Sequence, residues 1–179
     1  MRPMKWSWKN RSCVTNVMVS WAAFWMHALD VITSVAEHVS AAMHRVSPST
    51  RVVFLDPSGA TLAYATGKPA TDKTATTIAW RDGIDLLAVA QRCDGVGMLG
   101  YFADPSRLER KVRAYRQLLP ADGPLDVLLR PMPPDSRNAD ELAAKVSVLR
   151  HGIRDIAFYH YGLMRLEALD WVAHALERA

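Results

Sequence analysis

Apolar positions along this chain change their spacing in a regular way. From Leu29 they recur at Leu29, Ile32, Val35 or Ala36, Val39, Met43 and Val46, with Asp30, Ser34, Glu37, His38 and Arg45 between them. That is one face of an amphipathic helix, and Ser47 and Pro48 stop it. The period then disappears. Residues 51–55 (RVVFL) are β-branched and aromatic without alternation, as in a strand covered on both faces, and Asp56, Pro57, Ser58 and Gly59 end it. Residues 60–78, rich in Thr, Ala, Gly and Lys, show no period and predict the longest loop of the chain.

Three further units follow with shorter loops. A helix over 85–93 precedes a strand over 95–101. Asp104 and Pro105 then open a helix with Leu108, Val112, Tyr115 and Leu119 in a stripe. A strand over 125–129 and a proline-rich loop lead to Asn138, which caps a helix carrying Leu142, Val146 and Leu149. His151 and Gly152 close that helix. A strand over 155–159 and a helix with Leu166, Leu169, Val172 and Leu176 inward complete the series. Alternation of this kind predicts an α/β fold with a parallel sheet joined by right-handed crossovers, in a single domain over 29–179. Residues 1–28 stand apart as an arm or apolar helix containing Trp6, Trp8, Trp21 and Trp25.

Composition removes several functions. The net charge of +4 divides unevenly: residues 1–50 carry five Arg or Lys against Asp30 and Glu37, and the remainder has 17 basic against 16 acidic residues. A nearly neutral body argues against nucleic-acid binding, which needs clustered positive charge. Arg2, Lys5, Lys9 and Arg11 precede the apolar run 14–29, as in an export signal or membrane anchor. The run is interrupted by Asn16, Ser20 and His27, and it is shorter than the roughly 20 residues a spanning helix needs. A cytoplasmic protein is therefore expected, with export or anchoring by residues 1–29 as the alternative. Cys13 and Cys93 have no CxxC spacing, and reduced thiols are expected. The six histidines form neither HxxxH nor HExxH, and no strand is followed by GxGxxG or GxxxxGK[ST]. Neither a metal nor another cofactor is expected.

Ligands of parallel sheets sit at the C-terminal ends of the strands, which names the candidates without naming a reaction. The first strand delivers Asp56, a general base or a turn residue bonded to its own backbone. The second delivers Tyr101 and Asp104, the latter also a helix cap. The third delivers Arg130 and Asp135; the guanidinium either clamps an anion or pairs with a neighbouring Asp. The fourth delivers Tyr159, His160 and Tyr161, with the imidazole suited to proton transfer or to a structural place in the rim. The three tyrosines suit stacking on a sugar ring or capping of the core.

The stretches GMLGYFADP (97–105), LLRPMPPD (128–135) and IAFYHYGLMRLEALDWV (156–172) resemble the last strand and helix units of glycoside-hydrolase-like (β/α)8 barrels, over about residues 50–176. The resemblance implies half of a TIM-like barrel, since a complete one has eight strands in about 250 residues. It implies a carbohydrate-active hydrolase with Asp56 and His160 as catalytic candidates. Tyr101, Arg130, Asp135, Tyr159 and Tyr161 would bind the substrate. The other half would bring its own carboxylates, so a glycosidase pair about 5 to 10 Å apart need not be complete here. The alternative is a non-catalytic remnant or interaction module. Four strands with open edges also predict pairing with a second copy of the chain, a sheet left open, or aggregation.

Overall fold

The computed structural model describes residues 11–57 and 82–178, with side chains from residue 23 onwards. In chain order the elements are α1 (Arg11–Val46), β1 (Val53–Asp56), α2 (Leu86–Ala90), β2 (Gly95–Leu99), α3 (Pro105–Leu118), β3 (Leu125–Leu129), α4 (Ala139–Leu149), β4 (Ile156–Phe158) and α5 (Glu167–Glu177). The four strands are parallel and adjacent in sequence order, β1-β2-β3-β4. The expected loop over 60–78 lies outside the described residues, as do Trp6 and Trp8.

An order that never reverses has a mechanical consequence. Right-handed crossovers then carry every connecting helix to the same face of the sheet. On that face lie Phe54, Val96, Met98, Leu125, Val127, Leu129, Ile156 and Phe158, and they pack with Leu86 of α2, with Leu108, Val112 and Tyr115 of α3, and with Leu142, Val146 and Leu149 of α4. The other face carries Val53, Leu55, Gly95, Gly97, Leu99, Asp126, Leu128 and Ala157. No helix among the described residues lies over it, and Leu55 is 42% exposed. Among the described residues β1 is an edge strand with helices on one face, where the sequence leads one to expect cover on both.

Caps and glycines end the helices as the sequence predicts. Asp104 accepts from Ser106 N ahead of Pro105, Asn138 accepts from Glu141 N, and Gly152 takes φ +82° just past α4. Two stripes turn out differently. In α1, Leu29, Ala36 and Ser40 are buried, whereas Val35, Val39, Met43 and Val46 of the expected inward stripe are exposed. At 3.6 residues per turn these two sets are neighbours on an apolar arc of roughly 180°, of which the described residues cover only half. In α5, Ala168 and Ala175 are buried and Trp171 and Val172 pack on the core, while Leu166, Leu169 and Leu176 face away. The helix α1 also runs through residues 28 and 29 without a break. Its C-terminal end is held by Asp94, which accepts from Val52 N (2.7 Å) and from His44 Nε2 (2.8 Å). The Val52 N–H first, and His44 second, keep the Asp94 carboxyl below its ordinary range.

At the N-terminal ends of the strands Arg51 bonds both Asp126 and Asp155, joining the start of β1 to β3 and to the start of β4. Outer strands of a flat four-stranded sheet lie about 14 Å apart. One arginine side chain spans that gap only where the sheet curls, so the face without helices is concave.

Close packing at the end of β2 provides a test. A Cβ on Gly100 would stand 2.9 Å from Val127 Cγ1 and from Leu129 Cδ2, and 3.1 Å from Leu108 Cδ1, all three side chains being fully buried. Gly100→Ala is expected to lower stability by about 1–3 kcal/mol in urea denaturation; an unchanged midpoint would show that this packing yields freely.

Candidate functional site

Alternation along the strands continues past their last residues. Leu99, Leu128 and Ala157 share the concave face at one level, so Tyr101, Arg130 and Tyr159 share it one step further up. The ladder persists there, with Gly100 N donating to Leu128 O and Tyr159 N to Leu129 O. The Tyr101 and Tyr159 rings are near-parallel, 21° apart with centroids at 6.4 Å. Arg130 lays its guanidinium carbon 4.7 Å from the Tyr101 centroid, a cation–π contact. Tyr159 meets the His160 ring edge to face at 4.5 Å. The result is a half-exposed row of flat groups along the C-terminal rim.

Behind the row the loop after β3 is fixed by buried polar groups. Asp135, 5% exposed, accepts from Arg130 Nε. Lys145 of α4 donates to Asp135 O and to Ser136 Oγ (2.8 Å), and Ser136 Oγ donates to Arg130 O (3.3 Å). Arg130 thus resolves the choice left open by its position: it pairs with a neighbouring Asp. A buried ion pair with satisfied partners fixes geometry more than it adds stability. Here it fixes the plane of the guanidinium against Tyr101.

Asp56 does not join this group. It shares the helix-covered face with Met98, is 1% exposed, and accepts a hydrogen bond from Tyr115 OH of α3. Lys111 of the same helix places its Nζ 5.2 Å from the Tyr115 centroid. Asp82 lies close enough to feel the Asp56 charge; burial first, and that charge second, push the Asp82 carboxyl up. Tyr161 is 73% exposed and makes no ring contact with the row. The structure therefore brings Tyr101, Arg130, Asp135, Tyr159 and His160 together and leaves Asp56 and Tyr161 apart. Asp104 serves as a helix cap. Among the described residues no group of three His, Cys, Asp or Glu side chains could hold a metal ion. No helix among them is long and apolar enough to cross a membrane.

Sequence reasoning missed Lys145, Ser136, Lys111 and Asp82. For the lysines a signal existed. Lys145 falls three residues after Leu142, and Lys111 three after Leu108, so both interrupt an inward stripe. A charged residue in such a place must find partners inside.

Burial pushes the Lys145 ammonium down from 10.5 to about 8, with Arg130 adding to the effect against the opposing pull of Asp135 and Glu141. Between those values the unfolded chain holds a proton that the folded chain has released, so stability from this group rises with pH. Wild type should gain about 2–3 kcal/mol on Lys145→Met between pH 7.5 and pH 10 in urea denaturation. A gap of the same size at both pH values would show that the buried ammonium is not disfavoured.

No family model, no curated protein and no solved structure matches this chain.

Proposed function

We propose that this chain is half of a TIM-like barrel whose C-terminal rim binds a carbohydrate. The observation that carries the reading is the row of Tyr101, Arg130 and Tyr159 on the concave face, at the strand ends where parallel sheets take their ligands. Aromatic rings offer the apolar face of a sugar a flat surface, and fixed polar groups beside them orient its hydroxyls. The carboxylate of this cluster, Asp135, is committed to Arg130, which favours binding over proton transfer. Half-barrel winding is supported by the unreversed strand order with its helices on one face.

Hydrolysis is the second reading, favoured by a different observation: the Asp82 carboxyl is held up, by burial first and by the nearby Asp56 charge second. Two carboxyl groups in unlike environments are what acid and base roles require. Under this reading Asp56→Ala or His160→Ala abolishes glycoside turnover with the circular dichroism spectrum unchanged.

Calorimetric titration of the purified chain with a panel of neutral oligosaccharides tests the first reading. Binding is expected in the micromolar to millimolar range, weakened about tenfold by Tyr159→Ala, in line with the worth of one aromatic stack. No heat with any member of the panel, or equal affinity in the variant, would sink it.

A further inference from the structure

Exposed large apolar side chains are not scattered over this molecule. Among the described residues there are fifteen. Eight belong to α1 and β1, at one end of the sheet; six follow β4 or lie on α5, at the other; only Leu87 falls elsewhere. The outer helices α3 and α4, which cover the middle strands, contribute none. Scattered apolar exposure needs no explanation, but exposure gathered at two edges does.

Each edge lacks what the other supplies. At the β1 end Val31, Val35 and Val39 of α1 form a groove with Val53 and Leu55 of β1, beside a strand edge with no partner among the described residues. At the β4 end a second strand edge has no partner among the described residues, and Leu166 and Leu169 stand exposed at the start of α5. Neither VFLD nor IAF carries a Lys or Pro, so only their shortness guards these edges.

We propose that a second copy of this chain closes the sheet into an eight-stranded barrel with two-fold symmetry. In each of two identical seams β4 of one protomer runs parallel to β1 of the other, and α5 of the first lies in the α1–β1 groove of the second. A two-fold axis along the barrel keeps all eight strands parallel, and eight is the number whose interior side chains just fill the space. The concave face then becomes that interior, burying Leu55, and the uncovered half of the α1 arc gains a partner. An unrelated protein would need two different surfaces to satisfy both edges, whereas one copy carries both. Fourteen large apolar side chains per protomer would form the apolar part of a standard interface, which takes roughly 20–30 residues a side in all.

This rests on the half-barrel winding and is independent of what the rim binds. Light scattering after size exclusion, on the full chain at micromolar concentration, should give twice the mass of one chain. Val35→Glu with Val39→Glu should give monomer, and so should Leu166→Glu with Leu169→Glu. Each variant keeps its helix content, because all four positions are exposed; if a double variant lost its circular dichroism, Val39→Lys and Leu166→Lys would repeat the test. Mixing the two variants should restore the dimer, because one of its two seams is then wild type on both sides. A monomeric wild type, the result expected if residues 58–81 of the chain itself fill the groove, overturns the proposal. So does a dimer that persists in the α5 variant, a ladder of larger oligomers, or mixing without recovery. Oligosaccharide binding by a monomer would overturn the closure alone and leave the carbohydrate reading standing.

Discussion

Everything in this molecule follows from a strand order that never turns back. With β1, β2, β3 and β4 side by side in sequence order, the handedness of the crossovers leaves one side of the sheet for helices. That single choice creates a core between the sheet and α3 and α4. Among the described residues it also leaves a concave face without a helix and two edges without a partner strand. A doubly wound sheet of the same elements would have buried both faces, and its ligand crevice would lie at the reversal point. Here there is no reversal, so chemistry gathers where the concave face meets the strand ends.

The same geometry sorts the polar residues. Parity along a strand decides whether a side chain meets helices or the hollow. Asp56, one step from Leu55, falls on the helix side and is absorbed by Tyr115. Tyr101, Arg130 and Tyr159 fall on the open side and form the row. Residues that look equivalent as strand-end candidates in the sequence are therefore separated by the thickness of the sheet. Lys145 shows the other half of this sorting: a cation that enters from the helix side is held under the rim loop and sets its shape without reaching the concave face.

Much of the architecture could be read from spacing alone. The stripes of α3 and α4, their caps at Asp104 and Asn138, the left-handed Gly152 and the strand Leu125–Leu129 all stand where periodicity and cap chemistry put them. Two kinds of feature escaped. Periodicity finds an apolar arc but not which half of a wide arc meets the core: it leaves Val35 and Ala36 as alternatives, of which Ala36 is buried, and it puts Val39 of α1 and the leucines of α5 on the wrong side. Direction across a strand was the second, because a run without alternation, such as residues 51–55, carries no mark of which residue faces which layer. The tyrosine and arginine row needed register, and register between strands from different parts of the chain is a tertiary fact.

Arg51 carries a last implication. It precedes the first strand, yet its partners are Asp126 in the third and Asp155 before the fourth, and its Nε and Asp126 Oδ1 are buried without hydrogen-bond partners. Repeat-built folds usually grow by adding units that touch only their neighbours. This contact skips the neighbour and binds the ends of the series to each other. The four units are in consequence not interchangeable modules: removing the last would take Asp155 from Arg51 and leave it Asp126 alone, so the first unit feels the loss of a unit it does not adjoin.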